Sequence, residues 1–257
     1  MKNNLPPNPP SKIEKKSFRF VADDFGLSAS TNEAILHSHQ NGVLTSAALM
    51  MGQPRTPEAI QIAQAFPSLE IGLHFHLCDS IPLTVPHWPW NRHPAALGCR
   101  LGFQPHSTTL VLEEIQAQWN AFQKTGLPLA FVNFHHHLHA HPWIAYRLSQ
   151  FLKEQKFQGW IRLGTPHFFS PSERWKTTFL HPLAQRYQKI FDLNSPQSLW
   201  GIDRTFKMNP QEILLRIGSL TNGIHELIFH PRQLNDLDSQ CLLQLKQHGS
   251  SLLNLQK

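Results

Sequence analysis

The chain is poor in the features on which several protein classes depend. It has three cysteines in 257 residues, Cys78, Cys99 and Cys241, odd in number and far apart, with no CxxC pair. That argues against a disulfide framework or a cysteine zinc site and predicts reduced thiols in a cytoplasmic protein. There is no glycine-rich phosphate loop, no GxSxG nucleophile elbow and no base signature beside any cysteine, so nucleophilic Ser or Cys catalysis has no support. No apolar run approaches a membrane span. No internal repeat, low-complexity tract or interdomain linker interrupts the chain, so a single domain is expected over 17–257. The segment 1–16 is polar and proline-rich and lacks the apolar core of a secretory signal; it is predicted to be a flexible tail.

Charge of either sign is also sparse. Lys and Arg number 23 and Asp and Glu 17, for a net charge of +6 and a pI near 9.4. Apart from Lys12, Lys15 and Lys16 the basic residues are scattered, whereas a nucleic-acid binder concentrates them on one face. The charge reads as general solubility with a weak attraction to anionic lipid, hence no nucleic-acid partner and at most peripheral membrane contact.

What the chain has is histidine, 17 in all, and in clusters. Three segments stand out: Ala22-Asp23-Asp24-Phe25-Gly26, Gly72-Leu73-His74-Phe75-His76 and His135-His136-His137-Leu138-His139-Ala140-His141-Pro142. Each follows a run that reads as a strand, over Ser17–Ala22, Leu69–His74 and Leu129–Phe134. Further strands are expected over 43–51, 160–163 and 224–229. Helices are expected from Ser28 or Ser30 to Gln40, over 56–66, 109–125, 142–156 and 210–220, and in part over 171–191. The stretch 79–107 shows no period and reads as a long loop rich in Pro, Trp and Gly, of the kind used as a lid. Strands alternating with helices imply an α/β fold with a parallel sheet or barrel, whose active sites lie at the C-terminal strand ends.

Each motif has a plain alternative. Two adjacent carboxylates at a strand end repel unless a cation relieves them, but an Asp pair also serves as turn and helix cap. His74 and His76, two apart on a strand, share a face and suit a metal, or are buried histidines satisfied by backbone bonds. Not every ring of the 135–139 run can bind one ion; one ligand, one or two further contacts and one exposed ring are expected. His230-Pro231, at the end of the last strand, places a group of near-neutral pKa where it can protonate a leaving group, or is an ordinary satisfied histidine. Arg162 is placed to orient an Asp or bind substrate, against the alternative of a surface ion pair. Asp and His together suit a divalent metal with an open water position.

Taken in order, ADDFGLS, the NGVLTSAALM run at 41–50, GLHFHL, HHHLHAHP and the late FHP resemble the YdjC-like carbohydrate deacetylases from about Phe18 to Pro231. Gly126-Leu127-Pro128-Leu129, Val132-Asn133 and Glu226-Leu227-Ile228-Phe229-His230-Pro231 are most similar to the hopanoid-biosynthesis-associated branch. The resemblance implies an irregular (β/α) barrel of mainly parallel strands and one divalent metal ion, Mg2+ or Zn2+. It places the metal set on Asp24, His74 and His135, the base on Asp23 and the late histidine on His230. His76, His137, His139, Arg162 and Trp88 are the expected substrate contacts. Many sugar-deacetylating members carry Asp-Ser where this chain has Asn133-Phe134, a departure that bears on the support of His135. The expected activity is metal-dependent hydrolysis of an amide bond on an N-acetylglucosamine-type sugar, carried by a hopanoid glycolipid. Ile81, Leu83, Val85, Trp88, Trp90, Leu97 and Leu101 would cover the apolar part, or would simply pack on the barrel. The rival readings are a deacetylase of soluble chitooligosaccharides, a metal phosphoesterase, a histidine-rich metal store and a lipid-binding module.

Overall fold

The chain folds around one parallel sheet that curls into an incomplete barrel. The structure is a computed structural model, and it describes residues 15–90, 93–103 and 105–248. The expected tail over 1–16 lies outside the described residues up to position 14. Its last residue opens the first strand.

The strands are β1 (Lys16–Phe25), β2 (Ser46–Leu49), β3 (Glu70–Phe75), β4 (Phe131–Phe134), β5 (Trp160–Ile161), β6 (Thr165–His167), β7 (Ser198–Trp200) and β8 (Gly223–Phe229). Their order across the sheet is β5-β4-β3-β2-β1-β8-β7-β6, and every pair is parallel. This is the cyclic order of a (β/α) barrel, opened between β5 and β6. A single parallel bridge from Trp160 to Asn194 spans part of that seam. The expected α/β barrel is therefore the fold found, in its irregular form.

The helices are α1 (Ala29–Asn41), α2 (Thr56–Ala65), α3 (Pro94–Phe103), α4 (Pro105–Gln123), α5 (Pro142–Glu154), α6 (Trp175–Phe191), α7 (Pro210–Ile217) and α8 (Leu237–Gln247). Their starts follow local chemistry. Ser28 caps α1 by accepting from the Thr31 N–H. Asn209 caps α7 by accepting from Gln211 and Glu212, with Pro210 in the first turn. Asp236 caps α8 by accepting from Ser239. No helix among the described residues is long and apolar enough to cross a membrane.

Several expectations are corrected. The stretch 79–107 is not one loop: α3 and the start of α4 occupy its second half. Leu97 and Leu101 lie on α3 and are buried in the core, as is Trp90, while Ile81 stays half exposed. The short strands β6 and β7 carry too few residues to show a period, and α8, with its Asp236 cap and Leu237, Cys241, Leu242 and Leu245 at helical spacing, stands outside the expected elements. The strand expected over 43–51 is shortened to four fully buried residues.

Period-2 alternation divides β1. Phe18, Phe20 and Ala22 pack outward with the helices in the main core. Val21 joins Ala48, Phe131 and Trp160 in a small separate cluster, the inner layer of the barrel. Below it, the Arg19 guanidinium lies 4.3 Å over the Trp160 ring. Gly72 is paired with Phe131 across β3 and β4, and a Cβ there would come within 2.4 Å of the Phe131 ring. That ring is itself stacked on Trp160 at 4.3 Å and has no room to yield. Gly72→Ala is expected to destabilise the protein by about 1–3 kcal/mol through overpacking, read as a lower denaturant midpoint at unchanged slope.

Candidate active site

The polar residues gather one layer above the inner cluster, at the C-terminal rim. There β1 is irregular. Its register with β2 shifts between Ala22 and Phe25, and Asp24 adopts a left-handed φ of 65°. The carboxylates thus sit on a bulge within the strand, not beyond its end as expected. The bulge re-aims the side chains so that Asp23 and Asp24, adjacent in sequence, serve different neighbours.

Asp23 is fixed by a buried fork. The two terminal nitrogens of Arg162 donate to its two carboxylate oxygens, the Nη2–Oδ1 bond being 2.8 Å. Arg162 Nε donates to Glu226 on β8. Arg162 and Glu226 are fully buried and Asp23 nearly so. Burial works to raise the Asp23 pKa, but Arg162, His74 and His230 outweigh it and hold the carboxyl well below its ordinary range. For Glu226 burial wins, and its pKa is raised despite the same guanidinium. The plain alternative for Arg162, a surface ion pair, is overturned by its burial, and the guanidinium also borders the cavity at the β5–β6 seam. It orients Asp23.

Asn133 joins the two halves of the site. Paired with His74 across β3 and β4, its Oδ1 accepts from His74 Nδ1 at 2.6 Å and its Nδ2 donates to Asp23 Oδ1 at 3.1 Å. The residue that departs from the sugar-deacetylase pattern therefore supports His74 rather than His135. With a proton on Nδ1, His74 presents Nε2 to Asp24.

The metal fit turns on that pair of atoms. His74 Nε2 lies 3.5 Å and His135 Nδ1 3.0 Å from Asp24 Oδ1. Both Asp24 Oδ1 and His74 Nε2 are buried without a hydrogen-bond partner. The two atoms are satisfied by a proton on Nε2 or by a cation held between them. Burial lowers the His74 pKa, yet Asp23 and Asp24 pull it above its ordinary value, a second sign that positive charge is favoured here. The donor atoms of Asp24, His74 and His135 all lie within 4.8 Å of one another. One carboxylate and two imidazoles suit a divalent transition ion, with room for a water. Arg232, unforeseen, donates to Asp24 Oδ2 at 3.0 Å and neutralises the oxygen turned away from the set.

His230 stands over Asp23, its Nε2 3.9 Å from Oδ2. Its backbone N–H donates to Asp238 on α8 at 2.7 Å. Burial lowers its pKa against the pull of Asp23, Asp24 and Asp238. His139 is buried, its pKa pushed down to about 3 chiefly by burial, and the half-buried His137 lies edge-on to it. Both line an apolar cavity of about 180 Å³ at the β5–β6 seam, walled by Leu163, Phe168, Leu183 and Tyr187.

His76 is where the plain alternative holds. It is fully buried, with Nε2 2.9 Å from the Met51 carbonyl oxygen and Nδ1 2.8 Å from Ser80 Oγ, so it has no edge left for substrate. It belongs to a network that shapes the rim. Gln118 donates to its carbonyl and accepts from its N–H, and Glu114 accepts from the N–H groups of Leu83 and Thr84. Both α4 residues are buried among apolar neighbours and were missed, because a polar residue on a helix face looks like solvent contact until the fold covers it. Trp88 is half-buried, bonded through Nε1 to Ser80 Oγ at 3.3 Å and stacked on Trp90 at 5.3 Å. The pair lines a cavity of about 690 Å³ with Leu27, Gln53 and Ile81, on the β1–β3 side of the rim.

A family model described as YdjC-like protein matches residues 19–247. The chain belongs to the YdjC-like family. It is 37% identical over 128 residues to a carbohydrate deacetylase of Vibrio cholerae, covering 49% of this chain and 51% of that protein. It is 38% identical over 129 residues to a carbohydrate deacetylase of Geobacillus stearothermophilus, covering 47% and 49%. The chain thus spans about half the length of these curated relatives. A crystal structure of an Enterococcus faecalis protein named for cellobiose-phosphate cleavage superposes with a TM-score of 0.68 at 19% identity, covering 94% of this chain and 95% of that one. An uncharacterised protein from Agrobacterium tumefaciens gives a TM-score of 0.53 at 11% identity, covering 93% and 85%. These two likenesses show a shared fold over nearly the whole chain.

The buried fork can be tested directly. Arg162→Met leaves Asp23 and Glu226 as uncompensated buried carboxylates and is expected to cost about 3–5 kcal/mol of stability. Chemical denaturation at neutral pH checks it, and a loss below about 1 kcal/mol would remove the fork from its structural role.

Proposed function

We propose that this YdjC-like protein is a metal-dependent carbohydrate deacetylase, hydrolysing the amide of an N-acetylglucosamine-type sugar. The observation that carries the reading is the convergence of the Asp24, His74 and His135 donor atoms within 4.8 Å, beside Asp23 and His230 on the same rim. The half-length similarity to proteins named as carbohydrate deacetylases supports it.

Asp24, His74 and His135 would hold one divalent ion. Bound there, such an ion supplies polarisation of the acetyl carbonyl and a more acidic water. The chain's own residues do the rest. Asp23, kept ionised and oriented by Arg162 and Asn133, accepts the proton of the attacking water. A carboxylate held this low is a weak base but is always in its accepting form. His230 delivers a proton to the departing amine nitrogen. Burial keeps it neutral at rest, so it gains that proton during turnover. Asp23 Oδ2 lies 3.9 Å from Nε2, beyond a direct hydrogen bond, so the proton is handed on after the two groups close by roughly 1 Å.

For the substrate, we place the sugar in the larger cavity against Trp88 and an apolar aglycone, as in a hopanoid glycolipid, at the seam cavity beside His137 and His139. The seam cavity is lined mostly by apolar side chains and, at about 180 Å³, would take one end of such an aglycone, the rest lying outside it. A soluble chitooligosaccharide is the second reading, favoured by the size of the Trp-lined cavity. In the lipid reading the protein meets its substrate at a membrane surface, without spanning it.

Two measurements check this. Asp24→Asn, His74→Ala and His135→Ala should each lose bound metal and activity together. Asp23→Asn should keep the metal and lose about a hundredfold or more in turnover. Elemental analysis showing full metal in all three ligand variants would sink the assignment. Separately, kcat/KM should be higher for an N-acetylglucosaminyl hopanoid than for diacetylchitobiose, and the difference should shrink when Leu183 is replaced by Asn. A preference for the soluble sugar would leave the deacetylase and reject the lipid.

A further inference from the structure

A second group of metal-ligating atoms lies at the same rim. Asp79, His135 and His136 also bring one donor atom each within 4.8 Å of one another. His135 belongs to both sets. The second set faces outward: the side chains of His136 and Asp79 are 35% and 44% exposed, against 1% and 2% for His74 and Asp24. His136 Nε2 lies 3.7 Å from Asp79 Oδ2. The two residues reach this position from different loops. Asp79 follows β3, and His136 follows His135 in a 3-10 turn after β4. Both hold left-handed backbones, with φ of 48° and 55°.

We propose that Asp79, His135 and His136 form a second, weaker metal site, filled by a zinc-like ion once metal exceeds one per chain. The reading rests on the inner set being the resident site. Two imidazoles and one carboxylate favour zinc or cobalt over magnesium, which prefers oxygen ligands and keeps its waters. Neutral His135 has a single ring lone pair, so holding both ions through it breaks its remaining ring N–H bond and releases that proton to solvent; this cost, the repulsion between two dications and solvent competition for the outer donors make the second ion bind less tightly. An ion there also draws on His135, one of the three residues of the inner set. Excess zinc therefore inhibits the enzyme, while excess magnesium does not.

The test is titration of metal-free protein with Co2+, followed by visible absorption, and with Zn2+ by calorimetry. Wild type is expected to bind one tight equivalent and then a second about tenfold or more weaker, as repulsion between neighbouring dications requires. Asp79→Asn and His136→Asn should each lose the second phase and keep the first. Asn accepts the left-handed backbone at both positions, so the turns are retained. Excess Zn2+ should inhibit wild type and spare both variants, each compared with its own activity at one equivalent. Saturation of wild type at one equivalent, or a second phase unchanged in both variants, would overturn the outer site. Loss of the tight phase in His74→Ala, with the weak phase kept, identifies the inner set independently. A wild type showing only the weak phase, lost in Asp79→Asn, would overturn the inner set while sustaining the outer one.

Discussion

The guanidinium of Arg162 is the constraint around which the rim is built. A fully buried cation needs anions, and here it has two, Asp23 from β1 and Glu226 from β8. Either carboxylate alone in the interior would be driven toward its neutral form. The pair on one planar fork lets Asp23 remain charged at the centre of the barrel. The unequal outcome for the two carboxyls follows from geometry: Asp23 has both oxygens on the fork, while Glu226 meets one nitrogen.

From Asp23 the order spreads outward. Asn133 reads the Asp23 oxygen with its amide N–H and so turns its carbonyl to His74, which fixes the tautomer of that ring and points Nε2 at Asp24. The β1 bulge separates two sequence neighbours into two roles, one carboxylate locked by arginine and one turned to the histidines. Left-handed backbones at Asp24, Asp79, His136 and His137 cluster at this rim. Such conformations cost energy and persist where the surroundings over-determine them, as at ligand sites. A second network, from Glu114 and Gln118 through His76 and Ser80 to Trp88, carries the same logic to the loop beside the larger cavity.

The sequence by itself determined the parallel barrel, through strands alternating with capped helices, and the gathering of polar groups at one rim, through the positions of Asp23, Asp24, His74, His135 and His230 at or near the C-terminal ends of strands. Those signals are local, because alternation, caps and strand ends are written in neighbouring residues. Only the tertiary structure decided what each group does. His74 and His76 look alike at two-residue spacing, yet one faces a buried carboxylate and the other is spent on a carbonyl and a hydroxyl. Arg162, Glu226, Asn133 and Arg232 act across 139, 64, 59 and 208 positions of chain. No local pattern encodes such pairings. Closing the sheet brings these groups into one low-dielectric layer, where each charge must find a partner.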